Sequence, residues 1–352
     1  MVCGSSIGGM TKSGDIMKAN TVTLDESENP AAIRFSPVFN VAVPFIDRHL
    51  DEGRGAKVAI RAEDQAVTYG ELAERVNRCG NALLSLGVKP GERALMVVKD
   101  CPQFIYAFFG AIKAGIIPVP VNTMLRVADY QYLIQDVGST ALIYSPEFSD
   151  TISEALAAVP HVPSLILTTE ELNSRMAEQS PDLDAAAATA ETVCFWLYSS
   201  GSTGNPKGVI HPHRSMVYTS QCSGIDTIGL VEDDSCFSAS KMFHSYGFGN
   251  ALTFPLWVGA TIILSDQKVT PDMTFDIFEK YRPTVFFGVP TLYAQQLHAL
   301  DKKMRDTGSL RQCVSAGEAL PGDVMMRWKE KTGTLILDGL GSTEALHIFV
   351  GN

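Results

Sequence analysis

Among the seven cysteines of this 352-residue sequence, at positions 3, 79, 101, 194, 222, 236 and 313, there is no CxxC pair. Thiols scattered this way, several of them inside apolar runs, provide no disulfide frame; the expectation is reduced, buried thiols in a cytoplasm. Positive charge is also scarce. With 28 Lys and Arg against 39 Asp and Glu, the formal net charge is −11. That balance argues against a broad nucleic-acid or anionic-membrane face and leaves polyanions to be met by local clusters. An uninterrupted apolar span is missing too, because the most apolar stretch, Phe104 to Val121, is cut by Lys113, Pro118 and Pro120. The start of the chain, to about Ser36, has no continuous apolar core of the signal-peptide kind and reads as a mobile leader. No repeat of fixed period is present.

What is present is material for a core. At 45% apolar, the chain has enough for about two domain-sized units, which we place at 37–190 and 191–352 after the leader. Val67 to Leu72 ends a strand and opens a helix whose buried face is Leu72, Val76, Cys79 and Leu83; Gly87 and Pro90-Gly91 stop it. Ala94 to Val98 is a strand, and Pro102 starts a helix with Phe104, Phe108 and Ile112 inward. Ile116 to Val121 is extended, its prolines suited to a sheet edge. Ala141 to Tyr144 and Ser164 to Thr168 are further strands. Alternating strands and helices predict an α/β fold, layered mostly parallel sheets flanked by helices. Ser180 to Ala190 reads as a surface linker.

The richest stretch is Leu197-Tyr198-Ser199-Ser200-Gly201-Ser202-Thr203-Gly204-Asn205-Pro206-Lys207-Gly208. Strand patterns flank it, Cys194 to Tyr198 and Val209-Ile210, so it is a loop between strands. Glycines permit a tight wrap, hydroxyls and backbone N–H groups can donate to a polyphosphate, and Lys207 brings positive charge. The Walker loop fails on spacing, since Pro206 stands five residues beyond Gly201 and Gly208 follows the lysine. A plain Gly/Ser turn with a solvated lysine is the bland alternative. In Val209-Ile210-His211-Pro212-His213, zinc lacks a third ligand, and capping of the following helix is favoured.

Further along, Lys241-Met242-Phe243-His244-Ser245-Tyr246-Gly247-Phe248-Gly249-Asn250 joins rings to glycines, either as a flat apolar pocket or as an ordinary core turn. Pro283 to Thr291 contains a buried strand with Phe287. After the strand Leu310 to Ser315, the small residues Ala316 and Gly317 let a planar ligand lie on backbone, with Glu318 and Ala319 next; Glu318 is equally suited to start a helix. In Leu335 to His347 a strand ends in Asp338-Gly339-Leu340-Gly341-Ser342-Thr343-Glu344. Threonine can donate to phosphate and glutamate suits Mg²⁺; a helix N-terminal carboxylate is the competing explanation for Glu344. His347 is either a pocket residue or structural.

The loop at 197–208 resembles the signature loop of the adenylate-forming superfamily of acyl-CoA synthetases, peptide-synthetase adenylation domains and luciferases. Val67 to Leu72, Ala111 to Pro120 and Leu335 to Glu344 resemble other blocks of it, and Lys241 to Phe254 resembles the benzoate-CoA ligase branch. The resemblance implies the large N-terminal domain of such an enzyme, with ATP, Mg²⁺ and coenzyme A used to turn benzoate or a simple derivative into acyl-AMP and then a thioester. It implies catalytic roles for Lys207, Thr343 and Glu344, with Glu344 on the metal. The nucleotide would meet Ser199 to Gly204, Gly317 to Ala319 and Asp338 to Thr343, with Asp338 on the adenine amino group and Leu340 replacing the usual ring. The aryl group would meet His244, Ser245, Tyr246, Gly247, Phe254, Phe287, Ala316, Gly341 and His347. His244 departs from the phenylalanine expected in that branch, although other acyl-CoA synthetases carry histidine there. The family's ribose-binding aspartate and small C-terminal domain, with its lysine, match nothing before Asn352, so an N-terminal portion with weak turnover is expected. A carrier-protein-loading domain and a noncatalytic binding module are the alternatives; nothing excludes an oligomer.

Overall fold

Short runs rich in β-branched and aromatic residues, punctuated by Gly, Pro and Asp, form the strands. The computed structural model describes residues 18–25, 27–28, 32–63, 65–199 and 204–352. In chain order the strands are β1 (Val22–Asp25), β2 (Ala32–Phe35), β3 (Val58–Ala62), β4 (Gln65–Thr68), β5 (Arg93–Val97), β6 (Ile117–Pro120), β7 (Ala141–Tyr144) and β8 (Leu165–Thr168). They continue with β9 (Val193–Ser199), β10 (Lys207–Pro212), β11 (Ser235–Ser238), β12 (Thr261–Leu264), β13 (Val285–Gly288), β14 (Gln312–Ala316), β15 (Ile336–Gly341) and β16 (Ile348–Gly351).

Among the described residues, β16-β15-β14-β13-β11-β12-β3-β4 make an eight-stranded sheet and β6-β5-β7-β8 a four-stranded one. Neighbours run parallel except at the two edges of the larger sheet, where β15–β16 and β3–β4 are antiparallel. This is the expected α/β architecture, and Pro118 and Pro120 fall on the edge strand β6. β1–β2 and β9–β10 are antiparallel hairpins.

Two expectations change. Within the supposed leader, β1 pairs with β2, Val22 opposite Phe35, and Val22, Ile33 and Phe35 pack on the main core. Alternation over four residues in each strand is enough to half-bury one face, so the chain is anchored from residue 22; residues 1–17 lie outside the described ones. The larger sheet also crosses the division at residue 190, because β3 joins β12 with Ile60 opposite Ile262.

The helix Tyr69–Ser85 starts at a capping box: Glu71 N donates to Thr68 Oγ1 at 3.2 Å and Thr68 N to Glu71 Oε2 at 2.8 Å. It crosses the helix Pro102–Lys113, which carries proline at its first turn. Their backbones meet at Gly80 and Gly110, where side chains are excluded. Lys113 ends the second helix buried, its Nζ donating to Asp47 Oδ1 and Asn77 Oδ1, each at 2.6 Å. Among the described residues no helix is long and apolar enough to cross a membrane.

Residues 181–190 have no regular structure, as expected of a connector, yet they are held. Asn77 Nδ2 donates to Pro181 O at 2.7 Å, Asn81 Nδ2 to Asp182 O at 2.9 Å, and Ala186 N to Lys113 O at 2.8 Å. Asn40 Nδ2 closes the set on Ala186 O at 3.1 Å.

A methyl at Gly110 would stand 2.8 Å from both Cys79 Cβ and the Val76 carbonyl oxygen. Gly110→Ala should therefore force the helices apart and cost about 1–3 kcal/mol. The measurement is urea unfolding, with a lower midpoint at unchanged slope.

Candidate active site

The carboxyl ends of β13, β14 and β15 lie side by side, Gly288 opposite Ser315 and Ser315 opposite Asp338, then Ala316 opposite Gly339. Open α/β sheets present ligand sites at such ends. Side chains alternate across a strand, so Ser315 and Asp338 share one face while Phe287, Val314 and Ala316 share the other. On the first face, Asp338 Oδ2 accepts from Leu320 N at 3.3 Å, whereas Asp338 Oδ1 and Ser315 Oγ are buried with no partner among the described residues. Gly317, after β14, has φ +95° with nothing within 4 Å of a built Cβ. An unmet carboxylate oxygen beside a bare backbone shelf suits an exocyclic amine on a flat ring. Gly317, Glu318 and Ala319 are exposed, as is Leu340 at 63%. Glu318 does not start a helix; the next one is Gly322–Thr332.

On the opposite face, Phe254, Phe287, Ala316 and Ile348 are buried together with Tyr246 packed against them. Tyr246 donates its hydroxyl to Val314 O at 3.1 Å. His347 packs its ring on Phe254 at 4.4 Å and Tyr246 at 5.4 Å. Its Nε2 lies 3.2 Å from the Tyr246 carbonyl and 3.0 Å from Asn250 Oδ1, so the proton sits on Nε2. Gly249 makes room for this ring, since a Cβ there would stand 2.4 Å from it. The residues expected to line an acyl pocket thus converge at Tyr246, Phe254, Phe287, Ala316 and His347. His244 is an exposed residue just before the short helix Ser245–Phe248, its ring 4.5 Å from Phe243, with Ser245 half-buried beside it. Gly247 sits against the Lys241 carbonyl, where a Cβ would approach to 2.2 Å.

Between β15 and β16 the chain turns without forming a helix, which removes the helix N-terminal explanation for Glu344. Ala345 N donates to Ser342 Oγ at 3.2 Å, Leu346 N to Thr343 O at 3.0 Å and Ser342 N to His347 O at 3.3 Å. Gly341 is needed there, because a Cβ would stand 2.6 Å from His347 O. Thr343 is half-buried and Glu344 exposed.

In the hairpin, Ser199 pairs with Lys207 and Phe195 with His211. Ser200, Gly201, Ser202 and Thr203 lie outside the described residues; Gly204 has φ +138°, and Pro206 O accepts from Tyr132 at 3.2 Å. Lys207 and His211 share a face of β10, and His211 lines a small cavity together with Glu344 and Leu346. One strand therefore runs from the lysine to the acidic turn. His213 does not cap the helix Arg214–Thr219 as expected. Its Nδ1 accepts from Val41 N at 3.1 Å, because the ring is buried against the earlier part of the chain, where that N–H needs a partner.

A family model described as AMP-binding enzyme matches residues 47–352. The chain belongs to the AMP-binding enzyme family. It is 42% identical over 333 residues to a benzoate–CoA ligase of Thauera aromatica, covering 93% of this chain and 63% of that one. It is 42% identical over 322 residues to a 4-hydroxybenzoate–CoA/benzoate–CoA ligase of Rhodopseudomonas palustris, covering 89% and 59%. The solved benzoate CoA ligase from Burkholderia xenovorans superposes with a TM-score of 0.83 at 40% identity, over 89% of this chain and 63% of that one. The chain spans less than two thirds of the length of these relatives.

In this member of the AMP-binding enzyme family, sequence reasoning missed Asn250 as the partner of His347 and Ser315 as the neighbour of Asp338. Asn250 stood inside a stretch already singled out; a polar residue in an apolar run was the available signal. Ser315 was visible only as a strand residue.

Burial drives His347 down to about 3 and His211 and His213 to about 4, against an ordinary 6.5. The native state then binds fewer protons than the unfolded chain between those values, so stability is full above pH 6.5 and falls as pH drops toward 4. Thermal unfolding followed from pH 7.5 to 4 should show that decline, with His213→Asn making it shallower.

Proposed function

We propose that this chain supplies the nucleotide- and acid-binding part of a ligase that activates an aromatic carboxylate with ATP and passes it to coenzyme A. The observation that carries this is the sheet edge itself, with an unsatisfied Asp338 oxygen and bare Gly317 on one face and the ring-lined cluster of Tyr246, Phe254, Phe287 and His347 on the other. The similar benzoate ligases support the choice of an aryl acid. The binding groups lie in 191–352, with 37–190 as scaffold. Buried thiols such as Cys79, held up at about 12 by desolvation, suit a reducing cytoplasm.

The chemistry follows from charge. A carboxylate is a poor electrophile until one oxygen is bonded to phosphorus. Its oxygen attacks the α-phosphorus of ATP and pyrophosphate leaves; the coenzyme A thiol then attacks the acyl carbon and AMP leaves. Lys207 brings positive charge to the phosphates and Thr343 a hydroxyl donor, groups that matter most as negative charge builds. Glu344 is the hard oxygen ligand that would hold Mg²⁺, whose role is to neutralise phosphate oxygens. Ser199 and Gly204 frame the loop, while His244 and Ser245 flank the aryl cluster.

Pyrophosphate release should depend on benzoate or a simple derivative, with AMP rather than ADP as co-product. Lys207→Ala should lower it by about 10²-fold. A version extended to the relatives' full length should turn over faster; equal rates, or ADP release, would sink the reading. Asp338→Ala should separately reduce the preference for ATP over GTP by about tenfold, the scale of one lost hydrogen bond to a charged group.

A further inference from the structure

We infer that Tyr132 and Tyr198 are positioning residues, through which one face of the helix Val127–Val137 grips both strands flanking the phosphate loop and so fixes where Lys207 stands. The inference rests on the proposed ATP-dependent function, and it gives a task to two hydroxyls outside both the nucleotide set and the aryl set.

The hairpin β9–β10 has two faces. Trp196 and Tyr198 alternate with Phe195 and Leu197 along β9, and the register sets Tyr198 opposite Gly208 and Trp196 opposite Ile210. Phe195 and Leu197 enter the main core, while Trp196 and Tyr198 pack on the core of the four-stranded sheet. Gly208 leaves them room, since a Cβ there would stand 3.1 Å from the Trp196 ring and 3.4 Å from the Tyr198 ring. The helix Val127–Val137 adds Tyr130, Leu133, Ile134 and Val137 to that second core. Arg93 pins its end, donating to Val137 O and, at 3.1 Å, to Gly138 O, with the guanidinium 5.6 Å from the Trp196 ring centre.

Phenylalanine would serve that packing equally well, so packing alone does not explain the hydroxyls. Tyr132 and Asp136 stand four residues apart and share a face of the helix. Tyr132 donates to Pro206 O at 3.2 Å, on the residue just before Lys207. Asp136 Oδ2 accepts from Tyr198 at 2.5 Å, on the residue just before Ser199, which pairs with Lys207. One helical turn thus holds the strand entering the loop by a side chain and the segment leaving it by a backbone carbonyl. Burial, and after it the Asp136 carboxylate, pushes the Tyr198 hydroxyl up, so it stays protonated and donates. His213 on Val41 N fixes the other end of the hairpin. With the end bearing Lys207 also fixed in advance, phosphate binding need not bear the entropy of ordering it.

The test is calorimetric titration of the 352-residue chain with magnesium-ATP and with AMP, beside thermal melts. Y132F and Y198F keep the rings and remove one hydrogen bond each; each should weaken magnesium-ATP by about fivefold, while AMP, which lacks the outer phosphates, stays within about twofold. D136A, at an exposed position, should repeat the Y198F result and stands in if Y198F does not fold. D136N, whose amide oxygen can still accept, should lose less than D136A. In a double-mutant cycle, K207A should cost at least about threefold less in the Y132F background than in the wild type. A purely structural role would lower the melting point and leave the ATP-to-AMP ratio unmoved. Wild-type ATP affinity in either tyrosine variant, equal losses for ATP and AMP, or additive losses in the cycle would overturn the inference alone. No binding of magnesium-ATP by the wild-type chain would defeat the proposed function and this inference with it.

Discussion

Three strands held parallel in one register govern what this molecule can bind. Because β13, β14 and β15 end level with one another, the residues at their carboxyl ends are sorted by parity. Polar Ser315 and Asp338 go to one side of the sheet, apolar Phe287, Val314 and Ala316 to the other. A one-residue slip would exchange the two sets and bury the carboxylate among rings. The antiparallel return of β16 closes the edge, with Gly339 and Gly341 admitting Ile348 and His347 where any side chain would collide. Register, more than any single contact, keeps a polar shelf and a greasy cluster within one strand's thickness of each other.

A second constraint is burial of groups that titrate. His213 and His347 each give one nitrogen to a backbone partner, and they and His211 are neutral because burial penalises their charge. Neutral rings in a low-dielectric setting keep a fixed tautomer, and so donate and accept in fixed directions. His213 ties the hairpin to the first part of the chain at Val41, and His211 lines a cavity with Glu344 and Leu346 of the last. The small hairpin β9–β10 is thereby positioned by contacts made at its far end, away from the loop.

Local chemistry was readable in the sequence where it is self-contained. The two strands flanking Gly204, the glycine-rich end of β15 and the strand-to-helix passage at Val67 to Leu72 all depend on neighbours a few residues away and lie close to where their patterns put them, although Lys207 and Gly208 belong to β10 rather than to the loop. What was not readable depends on distant pairing. The hairpin at 22–35 has strands of four residues, too short for periodicity to stand out, and β3 joins β12 across some two hundred residues of chain. His213 looked like a cap because a histidine before a helix commonly serves the helix; its bond to Val41 was invisible until the two segments met. Likewise, Glu344 lost its rival role only when the turn proved not to begin a helix.

The connector between residues 181 and 190 carries one last implication. Three asparagines, Asn40, Asn77 and Asn81, grip its carbonyls, and Ala186 grips back on Lys113. A stretch that looks like slack is thus a splint laid across two helices, with its main chain serving as the adhesive. Engineers seeking a place to open the chain, by circular permutation or by inserting a reporter domain, would find irregular backbone there and still be cutting a structural member.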